Sequence, residues 1–293
     1  MTDIKFLSYN VKGLNSHIKR HKILAEITQY RADIVYLQET HITLESNIKL
    51  YSSDYPVWYY GDTVSSRSRG VAIGFARGVR CTLVDRLNDP EGRFLFLKVK
   101  LGEEDYTLAN VYAPNVNSAK YISKILRKLK GFEKGHVVLM GDFNFCMCPS
   151  LDSTSHAQGN NGEHLKILKK QMIQNQMVDV WRIFNPKTRD YTFFSPVHGT
   201  YSRIDYILVD HRLLERVVEA SCEIITLSDH APITMKISTS IQKCSPPEWR
   251  LDEGLLRDED VVERVQKELE WYFQENDKEG SQEQPCGTPT KRI

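Results

Sequence analysis

The chain has 293 residues, of which 41% are hydrophobic and 26% charged, and its formal net charge is +1. This length allows one large domain or two smaller ones with a sizeable core, and the balanced total charge does not by itself indicate a nucleic-acid partner. The charge is unevenly distributed, because residues 241–293 contain 8 Lys/Arg and 13 Asp/Glu, which leaves residues 1–240 with a net charge of +6. A mildly basic body is compatible with a polyanionic substrate.

The cysteines and the hydropathy pattern exclude several classes of protein. The six cysteines form neither a CxxC pair nor the Cys/His spacing of a zinc site. We therefore expect reduced thiols in an intracellular protein. The first residues lack the long apolar stretch of a signal peptide, and no run approaches the ~20 apolar residues of a membrane span.

The first third of the chain predicts strands that end in polar residues. A strand is predicted over 4–10, ending at Asn10, and an apolar strand over 33–40 carries Glu39 at its end. Between them, Asn15 and Ser16 are N-cap candidates for a helix. The segment 41–69 has the composition of an aromatic loop, and further strands are predicted over 70–76, 93–100 and 106–112.

The segment 136–144 is the centre of the predicted architecture. Its apolar run, 136–140, has the pattern of a strand buried on both faces. Gly141 ends this run, and Asp142 and Asn144 follow at alternate positions. Because side chains two apart in a strand point the same way, an acid and an amide are expected to face one spot at the rim of a sheet.

The segment before this strand predicts a helix with a basic face. Ser118 is a candidate N-cap residue, and apolar residues recur at helical spacing in the sequence that follows it. The opposite face carries a basic stripe, namely Lys120, Lys124, Arg127, Lys128 and Lys130. A solvated helix face is the favoured interpretation of that stripe over a contact with DNA.

The second half predicts alternating helices and strands, followed by a tail. Helices are predicted over 163–177 and 211–219, and strands over 191–195, 201–209 and 233–237, with a hairpin loop at 196–200. Residues 1–240 are predicted to form one domain, 241–250 a linker, 251–279 an acidic helical tail and 280–293 a disordered end. Asp205 stands among apolar neighbours, where it is a candidate for the site or could simply pair with Arg203 or a buried donor.

Polar candidates at the strand ends define the chemistry that the chain permits. If the strands share one sheet edge, their carboxylates, amides and imidazole converge there. Carboxylate and amide oxygens suit Mg²⁺, which is usually shared with a phosphate, and the absence of clustered His or Cys argues against zinc. Phosphodiester hydrolysis needs an activated water, which a carboxylate or a histidine can supply, and charge neutralisation, which a metal can supply.

Six segments resemble, in order, the motifs of the endonuclease/exonuclease/phosphatase superfamily, which includes exonuclease III, the apurinic/apyrimidinic endonucleases and DNase I. The segments are residues 8–11, 38–40, 110–115, 141–144, 202–206 and 228–230. The resemblance covers about residues 4–238. Residues 10–14, 191–195, 200–208 and 246–251 resemble more narrowly the endonuclease domains of long interspersed element retrotransposons.

This resemblance implies a fold and a set of site residues. The fold is a DNase I-like, four-layered αββα sandwich of two mixed β-sheets flanked by helices. Glu39 would bind Mg²⁺, for which Mn²⁺ could substitute, with Asn10 and Asp229 as further ligands or neighbours. The wider set of candidate metal ligands also takes in Asp142, Asn144 and His230.

The resemblance also implies how the catalytic residues divide their roles. Asp142 would orient or deprotonate the attacking water, and Asn144 would help to hold Asp142 or the phosphate. His230, oriented by a carboxylate, would stabilise the charge of the scissile phosphate. Tyr112 and Asn115 would approach the phosphate or the leaving group, and Asp205 would assist the leaving oxygen.

The expected substrate is double-stranded DNA, cut by a monomeric nuclear enzyme. The hairpin loop with His198 would enter a DNA groove, with Thr192, Ser202 and Arg203 at its base. Two alternatives remain open at this point. One is the same fold acting on another phosphoester, such as an inositol phosphate or an RNA end, and the other is a non-catalytic relic that binds nucleic acid.

Overall fold

Two six-stranded mixed sheets contain most of the strands in the computed structural model, which describes residues 2–46, 48–61, 68–155, 162–239 and 259–276. The first sheet has the spatial order β13 (Val217–Cys222), β14 (Ile233–Thr239), β1 (Thr2–Asn10), β2 (Ile34–Gln38), β4 (Val71–Phe75) and β3 (Val57–Tyr60). The second sheet has the order β5 (Cys81–Asn88), β6 (Phe94–Leu101), β7 (Glu104–Tyr112), β8 (His136–Asp142), β12 (Asp205–Asp210) and β9 (Met177–Asp179).

Helices and a small hairpin complete this part of the chain. The helices are α1 (His17–Gln29), α2 (Ser118–Phe132), α3 (Pro149–Asp152), α4 (Gly162–Gln174), α5 (Val180–Phe184) and α6 (His211–Leu214), with a 3₁₀ turn over Leu44–Ser46. The hairpin consists of β10 (Phe193–Ser195) and β11 (Thr200–Ser202).

The hydrophobic core lies in three layers, which follow from the alternation of side chains along the strands. In β1, Phe6 belongs to the apolar layer between the two sheets, where residues such as Leu97 of the second sheet also lie. Its neighbour Leu7 points to the opposite face and packs in a second cluster with Ile23 of α1. The third cluster joins the outer face of the second sheet to α2 and α4, with Ile122 in α2. The predicted four-layered αββα sandwich is therefore confirmed.

A buried polar link joins the two sheets directly behind the ends of their strands. Nε2 of Gln38, the last residue of β2, donates to Oδ1 of Asn110 in β7 at 2.7 Å and to Oγ of Ser8 at 3.0 Å. The Asn110 amide nitrogen in turn donates to the carbonyl oxygens of Leu37 and Ala72. Since buried polar networks fix one arrangement when their members are paired, this link holds the two sheets in register next to the site described below.

The strand registers decide which polar residues meet. β1 and β2 run parallel, with Asn10 opposite Gln38, so Glu39 follows at the same edge. β7 and β8 are also parallel, and Tyr112 is opposite Asp142. β12 runs antiparallel to β8 and begins with Asp205 opposite Asp142. The predicted convergence of strand ends is thus a consequence of sheet pairing.

Several predicted elements differ in the structure. The predicted 211–219 helix is wrong in its second half, because α6 ends at Leu214 and the β-branched pair Val217–Val218 begins β13, which pairs with β14. The predicted 41–69 loop contains the edge strand β3, and β5 and β9 were not predicted. All three are edge strands of their sheets, where half-exposed sequences lack a clean apolar pattern.

The helix caps agree with the predictions in part. Ser16 caps α1, and its side chain accepts the backbone N–H of Lys19. Ser118 instead begins α2, with Asn117 as the N-cap residue in a left-handed conformation. The Ser118 hydroxyl donates to the carbonyl oxygen of Asn144 at 3.1 Å, which ties the start of the helix to the loop after β8.

The chain divides into two units, Met1–Pro246 and Pro247–Ile293. In the second unit the structure describes one helix, α7 (Glu259–Asn276), within the predicted acidic helical tail. The predicted linker, 241–250, and disordered end, 280–293, lie outside the described residues, and the predicted boundaries remain predictions. Among the described helices, none is both long enough and apolar enough to span a membrane, and Cys81, Cys146, Cys148 and Cys222 are free thiols.

Candidate active site

Asp142, the last residue of β8, forms the floor of the candidate site. Its carboxylate is 1% exposed. Oδ1 accepts the backbone N–H of Asn144 at 2.8 Å, and Oδ2 accepts the amide nitrogens of Asn10 at 2.9 Å and Asn144 at 3.3 Å. Asn144 has a φ of +53°, a left-handed conformation that turns its backbone back toward the acid and that asparagine tolerates well.

Asn10 connects this floor to Glu39 on the first sheet. Its amide nitrogen donates to Oε1 of Glu39 at 3.0 Å as well as to Asp142, while its Oδ1 accepts the backbone N–H of Lys12 at 3.1 Å. The predicted role of Asn10 as a further metal ligand or a neighbour of the metal stays a prediction, since its oxygen accepts one N–H and keeps a second lone pair. Asn10 holds two carboxylates from different sheets side by side.

Glu39 is held in its ionised form. Burial raises the pKa of its carboxyl group, but the neighbouring His41, Asn10 and Tyr112 side chains outweigh burial and lower the pKa to about 2. Nε2 of His41 lies 3.6 Å from Oε2 of Glu39. Glu39 adopts a φ of +50°, so the backbone leaves β2 in a left-handed turn that aims the carboxylate into the site.

His230 and Asp205 form a buried pair on the other side of Asp142. Nδ1 of His230 lies 2.9 Å from Oδ2 of Asp205, and Nε2 lies 3.8 Å from Oδ2 of Asp142. Burial lowers the pKa of His230, but attraction to Asp205 and Asp142 is stronger and raises it to about 9. In the metal-free protein this favours the protonated imidazole at neutral pH, with Nδ1–H directed at Asp205 and Nε2–H facing Asp142.

The site carries more negative than positive charge. Glu39, Asp142 and Asp205 converge there, and Asp229 at its edge pairs with Lys12, with 2.7 Å between Oδ2 and Nζ. Burial raises the pKa of Asp142 to about 7, with His230 opposing this rise and Asp205 adding to it. A carboxyl group whose pKa is raised to near neutral pH in this way is a candidate general base.

The same geometry fits a small cation. Asp142, Asp205 and His230 each present one potential ligand atom, and these atoms lie within 4.8 Å of one another. The excess of buried carboxylate is costly without a positive partner, and oxygen donors of this kind suit a hard divalent metal. The donor set therefore fits a divalent metal. The predicted ligand roles stay predictions for all six candidates, namely Asn10, Glu39, Asp142, Asn144, Asp229 and His230.

The predicted DNA contacts of Arg203 and Thr192 need correction. Arg203 is 1% exposed, and its guanidinium group is bound by the carboxylates of Asp152 and Asp179. Thr192 is completely buried, and its hydroxyl accepts the backbone N–H groups of Ile204 and Asp205. Both residues support the strand that carries Asp205 and do not reach the surface.

The remaining predicted contacts lie around the site and are accessible. His198 is exposed in the turn between β10 and β11, next to Val197, which is 88% exposed at the tip. Asn115 is exposed in the loop after Tyr112, and Ser202 is half-buried in β11. Burial raises the pKa of the Tyr112 hydroxyl well above its ordinary value, and the Glu39 carboxylate adds to that rise, so this hydroxyl stays protonated beside Glu39.

Sequence reasoning missed four residues that shape the site. His41 contacts Glu39, and Lys12 pairs with Asp229. Gln38 and Asn110 form the link between the sheets. Gln38 and Asn110 lie inside recognised motifs, so their position was a usable signal, whereas the partners of Lys12 and His41 depend on loop conformation.

Comparison with known proteins agrees with this geometry. Residues 7–230 match the model of the Endonuclease/Exonuclease/phosphatase family. The chain is 26% identical to an exodeoxyribonuclease of Bacillus subtilis, over 80% of this chain and 100% of that protein. It is 24% identical to the Xenopus laevis protein named "Transposon TX1 uncharacterized 149 kDa protein", over 87% of this chain but only 20% of the transposon protein. The crystal structure of an AP endonuclease from Leishmania major superposes with a TM-score of 0.68 at 19% identity, covering 81% of this chain and 88% of that one.

The fold and the site together define a phosphoesterase of the nuclease type, with two layered sheets and a carboxylate-rich floor at their shared edge. The chain belongs to the endonuclease/exonuclease/phosphatase family. The chain spans a fifth of the length of the Xenopus transposon protein, so the family assignment concerns the domain described above.

Proposed function

We propose that this chain is a Mg²⁺-dependent endonuclease of the retrotransposon type that nicks one strand of double-stranded DNA. The observation that carries the proposal is the convergence of Glu39, Asp142 and the Asp205–His230 pair, from four different strands or their loops, at one sheet edge. A hydrolytic centre for a phosphodiester needs a metal site, a base and a charge stabiliser, and these residues supply all three.

Glu39 is the residue best suited to hold the metal. Its pKa of about 2 keeps it ionised at any physiological pH, and Asn10 fixes the orientation of one of its oxygens. When bound, a divalent cation would neutralise charge on the phosphate and its leaving oxygen. Mn²⁺ prefers the same oxygen ligands and is expected to substitute for Mg²⁺.

Asp142 serves as the base that receives the proton of the attacking water. Its carboxylate is fixed by Asn10 and Asn144, so it cannot swing away from the floor. The raised pKa makes Asp142 a stronger base than an ordinary aspartate. Asn144 is itself anchored, because its amide nitrogen donates to the carbonyl oxygen of Ala113 at 2.8 Å.

His230 stabilises the negative charge that develops on the phosphate. Its Nε2–H faces the floor, and the buried Asp205 fixes both the ring orientation and the positive charge. Preorganised donors of this kind contribute most where water is excluded. We assign Asp205 an orienting role, because it is 3% exposed and faces the histidine. Its predicted assistance to the leaving oxygen stays a prediction.

Double-stranded DNA is the proposed substrate for three reasons. The basic body of the chain suits a polyanion, and the exposed β10–β11 hairpin stands next to His230, because Phe193 forms a β-bridge with it. The relatives include an exodeoxyribonuclease and a transposon protein. A DNA substrate and retrotransposon-type activity imply action in the nucleus, and we propose a monomeric enzyme there.

A plasmid assay tests this function directly. Supercoiled plasmid should become open-circular with Mg²⁺ or Mn²⁺ and stay intact with EDTA, and sequencing of the nicks would map any target preference. Intact plasmid at high enzyme and low salt, together with turnover of an inositol phosphate or of an RNA end, would contradict the DNA assignment and favour another phosphoester. Binding of DNA without any hydrolysis would instead favour a non-catalytic relic that binds nucleic acid.

A further inference from the structure

A cavity lies next to the candidate active site, between the turn that precedes β6 and one side of α2. Its volume is about 390 Å³, far more than the ~30 Å³ that one water molecule occupies in the liquid. Arg93 joins it to the active site, because its guanidinium carbon lies 5.4 Å from the centre of the Tyr112 ring. The backbone carbonyl of Arg93 also accepts the N–H of Tyr112 at 2.7 Å.

Two polar atoms in the residues that line this cavity are buried and lack a hydrogen-bond partner among the described residues. These atoms are Nη1 of Arg93 and the hydroxyl oxygen of Tyr121. A buried polar group without a partner costs about 1–3 kcal/mol, so an acceptor brought to this cavity would stabilise both groups. Arginine can only donate, and the tyrosine hydroxyl can also donate, so the ligand that serves both presents acceptor oxygens.

The charges around the cavity favour an anion. Lys124 and Lys128 of α2 line its rim and are exposed. Two acids also line it. Glu91 pairs with Arg69 at 2.7 Å and lies 3.9 Å from Nε of Arg93, and Oδ2 of Asp89 accepts the backbone N–H of Arg93 at 3.3 Å. Since three cations and two acids line the cavity, the balance that remains for a ligand is positive.

We propose that this cavity binds a backbone phosphate of the substrate strand, next to the phosphate that is hydrolysed. The inference rests on the proposed nuclease function and adds a substrate contact outside the recognised motifs. A phosphate oxyanion matches the unpartnered donors and the lysines. The strand is the proposed source of that phosphate, because Arg93 lies against the ring of Tyr112, which is expected to approach the scissile phosphate or the leaving group. Of the basic stripe of α2, Lys124 and Lys128 would then contact the substrate, whereas Lys120 and Arg127 would lie on a solvated face.

The first test separates these two faces of the helix. Lys124→Ala/Lys128→Ala removes the two lysines that line the cavity, and Lys120→Ala/Arg127→Ala removes two exposed cations of the same helix that do not. Binding to a short DNA duplex is measured in EDTA, where no cleavage occurs, across a salt series. The slope of log affinity against log salt should fall by about 1 for each phosphate that is no longer neutralised in the first variant and change little in the second. An equal decrease in both variants, or no decrease in either, would overturn the proposal.

The second test locates the phosphate on the strand. A duplex with one neutral methylphosphonate, moved along the strand near the mapped nick, should lose affinity at one flanking position with the wild-type chain. The Lys124→Ala/Lys128→Ala and Tyr121→Phe variants should be insensitive to methylphosphonate at that same position, which gives a double-mutant cycle. A cavity that takes up inorganic phosphate while all chains respond alike to every methylphosphonate would overturn the assignment to the strand.

The two proposals fail in distinguishable ways. If the wild-type chain nicks plasmid with Mg²⁺ while the cavity variants bind duplex as it does, only the phosphate contact is refuted. If the wild-type chain neither nicks nor binds DNA, the proposed function is refuted and the cavity contact with it. Circular dichroism of each variant confirms that the exposed substitutions leave the fold intact.

Discussion

Asp205 Oδ2 accepts a hydrogen bond from Nδ1 of His230 at 2.9 Å, and both side chains are almost completely buried. Strand pairing creates this contact, because β12 begins with Asp205 opposite Asp142 at the end of β8. The histidine thus lies between two carboxylates, of which one orients its ring and the other faces its second nitrogen.

Replacing Asp205 by asparagine should lower the pKa of His230 in the metal-free protein. The wild-type imidazole is expected to keep its proton until about pH 9, because two carboxylates attract it. The amide of Asp205→Asn would keep the shape of the carboxylate but not its charge, so NMR titration in EDTA should show the imidazole losing its proton at lower pH. Nicking should fall by about 10²-fold, since the charge stabiliser is weakened. An unchanged His230 titration would contradict this assignment.

The raised pKa of His230 also makes the metal-free wild-type protein less stable at alkaline pH. The folded-state pKa of His230 is above its ordinary value of 6.5, so this group stabilises the fold fully below about pH 6.5. The stabilisation is lost as the pH rises through about 9. Thermal unfolding in EDTA should therefore show a fall between these pH values that is smaller in Asp205→Asn. Equal pH dependence in both proteins would count against the buried ion pair.

Asp142→Asn should remove activity in a protein that still folds but is less stable. The amide keeps the size of the carboxylate but cannot accept the proton of water, and loss of such a base costs about 10²–10⁴-fold in rate. The amide nitrogen would face an N–H donor where the carboxylate accepts hydrogen bonds from Asn10 and Asn144, so the melting temperature should also fall. Nicking rates and thermal melts of the two proteins test both halves. Substantial residual nicking by a folded Asp142→Asn protein would exclude Asp142 as the base.

Much of the floor was predictable from the sequence, because it depends on strand periodicity. The apolar run of β8 ends at Asp142, and a parallel strand pair brings Asn10 and Glu39 to one edge, whereas Asn144 reaches the floor through its left-handed backbone. These rules need only local sequence and sheet geometry. The role of Asp205 was open from the sequence, since its choice of His230 over Arg203 depends on the register of β12.

The supporting residues were less predictable, because their partners lie far away along the chain. Arg203 resembled a surface cation in a DNA-binding hairpin, yet Asp152 and Asp179 draw it into the interior. The edge strands β3 and β5 carry polar residues on their outer faces, so their local patterns do not distinguish them from loops. In both cases tertiary pairing determines the structure.

Arg203→Ala should destabilise the protein rather than weaken a DNA contact directly. Its guanidinium group stacks 4.4 Å from the Tyr206 ring centre and 5.0 Å from that of Trp181 and neutralises two carboxylates. Removing one partner of a buried ion pair costs about 3–5 kcal/mol. Arg212→Ala is the matched control, because Arg212 pairs with Asp210 but is 65% exposed, and exposed pairs contribute about 0–1 kcal/mol.

Urea unfolding of both variants measures this difference. If Arg203→Ala keeps wild-type stability but binds duplex less tightly, the arginine contacts DNA as the sequence predicted, and its buried position is wrong. Arg203→Lys should lie between the two variants, since lysine keeps the charge but cannot bind two carboxylates in the planar geometry of arginine.

Gly141 is the glycine on which the floor depends, and Gly141→Ala should destabilise the fold strongly. Gly141 has a φ of +144°, and a Cβ atom there would lie 2.0 Å from the carbonyl oxygen of Val111 on β7. The left-handed backbone alone costs about 1–2 kcal/mol for a residue with a side chain, and the clash forces β7 and β8 apart. Since Tyr112 and Asp142 follow at these strand ends, nicking should also be lost.

Gly131 in α2 provides the opposite case in the same chain. A Cβ atom at Gly131 meets nothing within 4 Å, so Gly131→Ala should stabilise the helix by roughly 0.5–1 kcal/mol. Urea unfolding of the two variants should therefore give shifts of opposite sign, with full nicking only in Gly131→Ala. A Gly141→Ala protein that keeps wild-type stability and activity would show that β7 and β8 do not approach as closely as the structure places them.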